Sequence, residues 1–143
     1  VTVLDVSEEN LEVVRRRFKT EPELAAKIRY VCADVETYAR EAEKCSGTYG
    51  YVVLIGDLTA ADRAGRAAQM TAAKQLLSAH GTLIAAASNW FGVKYMAGAE
   101  RETGALSWNE MKQLLPGGEF YYPMPDYRTA GFFQMPICRK KAI

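Results

Sequence analysis

Apolar residues recur along this chain in two alternating rhythms, one of period two and one of period three to four. Val1 to Val6 is a β-branched run ending at Asp5-Val6, and Ser7-Glu8-Glu9-Asn10 then offers a helix N-cap with acids in the first turn. Leu11, Val14 and Phe18 recur at helical spacing, which predicts an amphipathic helix to about Thr20 with its apolar face on a sheet. Ile28 to Ala33 is a second strand ending in Asp34, followed by a helix-compatible stretch through Lys44 and a turn at Ser46-Gly47. Tyr49 to Ile55 is a third strand, apolar enough to be covered on both faces, and Gly56-Asp57-Leu58 ends it. Ala61 to Ala79 reads as a helix with a stripe of Met70, Ala73, Leu76 and Leu77, stopped by His80-Gly81. Thr82 to Ala87 is the fourth strand, running into Ser88-Asn89-Trp90-Phe91-Gly92.

Strand and helix thus alternate with short connections, which argues right-handed βαβ units and a parallel sheet. Beyond Gly92 an aromatic, glycine-containing segment leads to a short helix from Ser107 to Leu115, with Ser107 and Glu110 spaced as a capping box and Pro116-Gly117-Gly118 as its stop. Glu119 to Tyr122 and Phe132 to Cys138 read as two last strands, an antiparallel hairpin at a sheet edge that tolerates Pro123 and Pro125. The fold class expected is α/β: a Rossmann-like, mostly parallel sheet with helices on both faces and a C-terminal antiparallel hairpin. One domain covers 1–143, with βα units over 1–92 and a lid and hairpin over 93–143.

Composition narrows the partners. Eighteen basic residues against seventeen acidic ones leave a net charge of +1, so no global field favours nucleic acid or an anionic membrane surface. Cys32, Cys45 and Cys138 are widely separated and lack metal-ligand spacing, which points away from a disulfide framework or zinc site and fits a reducing cytoplasm. No apolar run is long enough to span a bilayer.

In open α/β sheets ligands bind beyond the carboxyl ends of the strands. Those positions are Asp5, Asp34, Gly56-Asp57 and Ser88-Asn89. Asp5 can accept hydrogen bonds from both hydroxyls of a ribose, or it can cap a turn. Asp34 can accept from an adenine amino group, or it can be a helix N-cap. Ending successive strands, the two would converge on one ligand. Trp90, Phe91, Tyr95 and Met96 offer rings and apolar surface for a substrate pocket, or for packing a loop on the core, with Lys94 and Tyr95 as the more plausible contacts. Tyr121, Tyr122, Asp126, Tyr127 and Arg128 carry the same two readings. His80 fits a solvated cap at a helix C-terminus rather than a base, and Arg15 to Arg17 is a solvated helix face.

These residues resemble a family. VTVLDVSEENLEVVRRRF looks like the second strand and helix of class I S-adenosylmethionine-dependent methyltransferases, IRYVCADV like their third strand, and YGYVVLIGDL like their fourth. AKQLLSAHGTLIAAASNWFG is similar to the helix and strand that follow, while NWFGVKYMAGA, ETG and FYYPMPDYR resemble a subgroup of bacterial polysaccharide and cell-surface biosynthesis. The resemblance implies S-adenosylmethionine as cofactor, held by Asp5, Val6, Asp34, Val35 and Gly56. A sugar or polysaccharide-related acceptor would be held by Asn89, Trp90, Lys94, Tyr95, Tyr122, Asp126 and Tyr127, and a glycosyltransferase is implied as neighbouring domain or partner.

Two departures accompany it. The family's opening strand and glycine-rich loop have no counterpart, and Val1 falls within a strand already under way, so the chain is expected to be a fragment lacking the strand between those that end at Asp5 and Ile55. The unpaired edges left behind make a homodimer an expectation. The subgroup's acid before Asn is Ser88 here, and its Asp-His pair before Thr-Gly is Arg101-Glu102. Two rival functions remain: a nicotinamide-dependent oxidoreductase, which shares the ribose-binding acid, and a degenerate, non-catalytic module attached to a glycosyltransferase.

Overall fold

A computed structural model describes residues 1–41, 47–56, 58, 62–124 and 132–134. In chain order the elements are β1 (Thr2–Asp5), α1 (Glu8–Arg17), α2 (Pro22–Ala25), β2 (Arg29–Cys32), α3 (Val35–Glu41), β3 (Tyr49–Ile55), α4 (Arg63–Leu76), β4 (Leu77–Ala86), α5 (Val93–Met96), α6 (Trp108–Leu114), β5 (Tyr122–Met124) and β6 (Phe132–Gln134). The architecture is mixed α/β.

The described strands form three two-stranded sheets rather than one. β1 runs parallel to β2, in register from Thr2 opposite Arg29 to Asp5 opposite Cys32. β3 runs parallel to β4, with Tyr51 opposite Thr82 and Ile55 opposite Ala86. β5 and β6 pair antiparallel, Tyr122 opposite Gln134, and among the described residues they pair only with each other. β5 starts at Tyr122 rather than Glu119, and the expected continuation to Cys138 lies outside the described residues.

Local chemistry explains most boundaries. Ser7 Oγ accepts from Asn10 N at 3.4 Å and opens α1, whose Leu11 is fully buried against the first sheet. Asp62 Oδ1 accepts from Gly65 N at 2.7 Å and opens α4, which buries Met70, Ala72, Ala73 and Leu76. Each large side chain among these contributes roughly 1.5 to 3 kcal/mol by leaving water. α2 and α5 are single turns that the apolar periodicity does not register, α2 opening with Pro22 at a first-turn position.

α4 stops at Leu76, and Leu77 to Ala86 is strand, so His80 sits exposed on β4 and not at a helix end. The register jumps here: Tyr49 faces Leu77, yet Tyr51 faces Thr82. Gly81 lies in the bulge, where a Cβ would come within 2.7 Å of Leu77 Cδ2 and 2.9 Å of Tyr49 O. Only a residue without a Cβ fits so close to another backbone.

The main core joins Val35 and Tyr38 of α3, Leu54 of β3, Leu58, the buried face of α4 and Leu106, with Leu4 and Val31 packed at its margin. α3 and α4 pack together on this side, while α1 lies over β1 and β2 on the other, its Arg15 guanidinium 5.0 Å from the Tyr30 ring centre. The expectation that β3 is covered on both faces is corrected. Leu54 is buried, but Tyr51, Val53 and Ile55 alternate with it onto a face that no described element covers, and are 71%, 51% and 62% exposed.

Candidate functional site

Parallel pairing brings the carboxyl ends of β1 and β2 side by side. Asp5 is the last residue of β1, opposite Cys32, and Asp34 follows β2. Both carboxylates already have local work. Asp5 Oδ1 accepts from Ser7 N at 2.8 Å and from Asn10 Nδ2 at 3.1 Å, and Oδ2 accepts from Asn10 Nδ2 at 3.2 Å. Asp34 Oδ1 accepts from Thr37 N at 2.6 Å and Oδ2 from the Thr37 hydroxyl at 3.2 Å, which makes it the N-cap of α3. The Thr37 backbone N–H, above all, holds the Asp34 carboxyl below its ordinary value, with Arg40 adding a smaller pull in the same direction. Asp34 therefore remains a charged acceptor, and the capping bonds leave lone pairs on both aspartates free to face outward.

Val6, beside Asp5, is 72% exposed and offers an apolar surface next to the carboxylate. Val35 is different: its side chain is 8% exposed and belongs to the core, so only its backbone is available at the strand end. Gly56 closes β3 with φ of +88°, a left-handed conformation that favours glycine, while its N–H extends the ladder to Ala86 O at 3.0 Å. Asp57 lies outside the described residues.

The carboxyl end of β4 holds a second cluster. The chain leaves β4 at Ser88, loops out through α5 and returns so that Leu106 N donates to Ser88 O at 2.8 Å and Trp90 N to Leu106 O at 2.9 Å. Inside this loop Glu102 gathers its neighbours. Its Oε1 accepts from Lys94 Nζ at 2.8 Å, its Oε2 accepts from the hydroxyl of Ser88, and its backbone N–H donates to Tyr95 OH at 3.4 Å. Ser88 is 3% exposed, so this carboxylate is anchored to a buried hydroxyl. The bond to Glu102 raises the Lys94 ammonium above its ordinary value. Lys94 Nζ also lies 5.0 Å from the Tyr95 ring centre, and Arg101 stands 4.9 Å over the Trp90 ring. Asn89 Oδ1 accepts from Phe91 N at 3.0 Å and shapes the turn. Arg66 fixes the loop from behind, donating to Leu58 O at 2.7 Å and Gly104 O at 3.0 Å.

The structure thus brings Asn89, Trp90, Lys94 and Tyr95 together, and Asp5, Val6 and Asp34 together, at the carboxyl ends of two separate sheets. Tyr122 packs elsewhere, its ring 6.1 Å from that of Trp108, and burial pushes its hydroxyl up from the ordinary value. Asp126 and Tyr127 lie outside the described residues. Sequence reasoning missed Glu102 and Ser88 as a pair, noting them only as departures from a family pattern. The available signal was opposite charge on Lys94 and Glu102 flanking Gly98, whose φ of +94° lets the loop fold back.

An open groove of about 730 Å³ runs between α3 and α4, lined by Ala39, Ala67, Ala68 and Ala72 and equally by Glu36, Arg40, Thr71 and Gln75. Half of its lining residues are polar or charged, and neither strand-end aspartate is among them. No described helix is long and apolar enough to cross a membrane. No protein-family model matches the chain, and no curated protein or solved structure matches it significantly.

Proposed function

We propose that this chain is the cofactor-binding and acceptor-facing part of a cytoplasmic S-adenosylmethionine-dependent methyltransferase acting on a sugar or polysaccharide-related acceptor. The observation that carries the reading is the pair of aspartates at the carboxyl ends of two parallel, in-register neighbouring strands. The residues present fit the adenosine half of such a cofactor: Asp5 for the ribose hydroxyls, Asp34 for the adenine amino group, Val6 as apolar surface for the ring and the left-handed Gly56 as a close backbone approach. The bound cofactor supplies an electrophilic methyl group on a sulfonium.

What the chain's own residues do is bind and orient. Asp5 and Asp34, fixed by Ser7, Asn10 and Thr37, are preorganised acceptors that need not reorganise on binding. Trp90 and Tyr95 offer faces on which a sugar stacks, and Lys94 and Asn89 offer polar contacts to hydroxyls. Methyl transfer from a sulfonium depends chiefly on in-line positioning, so a site without a histidine base is compatible with it. A glycosyltransferase as neighbouring domain or partner completes the proposal.

One observation favours a second reading, a non-catalytic module of the same architecture: both aspartates have full-time capping duties that explain their presence without a ligand. The sequence offers no glycine-rich loop for the methionine portion, so the methyltransferase reading expects weak binding, and titration of the chain to millimolar S-adenosylmethionine and, separately, NAD, followed by amide NMR shifts, separates the alternatives. The methyltransferase reading expects shifts with S-adenosylmethionine at Val6, Val35 and Gly56, weakened about tenfold or more in affinity by Asp5→Asn, as loss of a charge-assisted bond costs about 1.5 to 3 kcal/mol. Shifts with NAD alone would move the chain to the oxidoreductases, and shifts with neither to the non-catalytic module.

A further inference from the structure

The loop after β4 carries charges of both signs, and its fold fixes how they meet. Its base is clamped where Leu106 N donates to Ser88 O at 2.8 Å and Trp90 N donates to Leu106 O at 2.9 Å. Gly98, with φ of +94°, lets the chain turn back, so Glu102 on the returning limb meets Ser88 and Lys94 on the outgoing one. The hydroxyl of Ser88, a residue 3% exposed, donates to Glu102 Oε2, and Lys94 Nζ donates to Oε1 at 2.8 Å. The Lys94 and Glu102 side chains are 21% and 29% exposed, so the ion pair lies partly out of water.

Anchoring sets this pair apart from an ordinary surface salt bridge. A carboxylate on a fully solvated loop swings between partners, and the ion pair it makes is readily exchanged for a ligand. Glu102 is held from behind by a hydroxyl at the edge of the core, so swinging away gives up that bond as well as the ionic one. Lys94 is held in turn by Glu102, which keeps its ammonium charged, and by the Tyr95 ring, whose centre lies 5.0 Å from Nζ. The two charges form a unit that is neutral as a whole and stands beside the rings of Trp90 and Tyr95. The neighbouring charges balance as well: Glu100 precedes Arg101, and the Arg101 guanidinium lies 4.9 Å over the Trp90 ring.

A neutral, anchored pair discriminates ligands by charge. The hydroxyls of an uncharged sugar approach an ammonium and a carboxylate together and bring no charge of their own to oppose either. A ligand carboxylate or phosphate brings a third charge. To pair with Lys94 it must displace Glu102 from its anchor or settle beside it as a like charge, and both cost binding energy. A ligand ammonium meets the same obstacle in reverse, because Lys94 already stands against the carboxylate it would seek.

We infer that Glu102, anchored by Ser88, sets the specificity of this loop: by neutralising Lys94 it selects an uncharged saccharide and rejects uronic-acid and phosphorylated ones. This selectivity rests on the reading of Asn89, Trp90, Lys94 and Tyr95 as the acceptor contacts, and it narrows that acceptor to a charge class. It acts on binding and does not require Glu102 to touch the reacting atoms.

The test uses the full chain, probes of one shape and different charge, and two variants of opposite charge. Methyl glucoside, its glucuronic-acid counterpart and its 2-amino counterpart are titrated in turn to tens of millimolar, and amide NMR shifts at Trp90, Tyr95 and Glu102 report each affinity. Wild type should favour the neutral glycoside. Glu102→Gln leaves Lys94 uncompensated and should raise the affinity ratio of uronate to neutral glycoside about fivefold or more. Lys94→Met leaves Glu102 uncompensated, and should lower that ratio while favouring the amino glycoside. Both changes should shrink in added salt. A merely structural role for Glu102 would weaken all the probes alike, so a ratio unchanged in both variants would overturn the inference. So would a wild type that already prefers the uronate, with Arg101 then supplying the contact. Absence of shifts with every probe in all the proteins would instead remove the acceptor reading itself, and the selectivity with it.

Discussion

Gly81 sets where β4 ends relative to β3, and a single methyl there should be felt. In Gly81→Ala the new Cβ would sit 2.7 Å from Leu77 Cδ2, 2.9 Å from Tyr49 O and 3.2 Å from Ser78 N. The leucine methyl can swing aside, but the carbonyl and amide belong to the two strands of the bulge and can yield only by moving β3 and β4 apart. Overpacking of this kind costs about 1 to 3 kcal/mol. Gly50, on the same strand pair, has nothing within 4 Å of the place a methyl would take and no positive φ. Gly50→Ala should accordingly be neutral or stabilising by about 0.4 to 1 kcal/mol, because alanine restricts the unfolded chain more than glycine does. Denaturant unfolding of both variants reads the difference directly, and the opposite signs remove any common effect of adding a methyl group. If Gly81→Ala unfolded at the same denaturant concentration as Gly50→Ala, the bulge would be loose, and the placement of Ser88 and Asn89 at the strand ends would lose its structural basis.

Two further predictions concern charge. Glu102→Gln removes the ionic partner of Lys94, so amide exchange at Trp90 and Leu106 should accelerate while exchange at Val3 stays as it was; uniform change across the chain would deny the loop its separate anchor. Ser107 holds the Glu110 carboxyl below its ordinary value, with Arg66 and Arg63 adding smaller pulls, so this group stabilises the fold above the unfolded carboxyl pKa of about 4.3 and the contribution is lost as pH falls through the lower folded value. Glu110→Gln should flatten the acid limb of a stability-against-pH profile, and an unchanged limb would count against the capping box.

The elements were legible in the sequence wherever period and punctuation agreed. Tyr49 to Ile55 and the Ser107 capping box are visible because one rests on an uninterrupted apolar run and the other on two side chains at fixed spacing. The end of α4 was not legible, because Leu77 continues the apolar stripe of a helix and faces Tyr49 as a strand equally well. His80-Gly81 reads locally as a helix stop, and only the contact with Tyr49 O shows that the glycine serves a bulge. The same limit applies to the site. Asp5 and Asp34 can be found from strand ends, whereas Glu102 gains its role from Ser88 and Lys94 through a loop closed by Leu106, a relation carried by no local pattern.

Capping and ligand binding are separable at Asp34, although one carboxylate serves both. Serine caps a helix about as well as aspartate, so Asp34→Ser should keep an oxygen for the Thr37 N–H and preserve the start of α3. Alanine cannot, and should cost about 0.5 to 2 kcal/mol of stability. A ligand amino group meets a different requirement: it needs an acceptor reaching outward from the cap, which the second carboxylate oxygen provides and a serine hydroxyl, already committed to Thr37, does not. Asp34→Ser should therefore unfold close to the wild-type denaturant midpoint yet lose affinity for S-adenosylmethionine, while Asp34→Ala loses both. Because the folded carboxyl is held below its ordinary value, the carboxylate's contribution is full above about pH 4 and is lost as pH falls through that lower value, so the serine variant should also show the shallower acid limb. Equal affinity in wild type and Asp34→Ser, with stability lost only in Asp34→Ala, would leave Asp34 as a cap and remove it from the cofactor site.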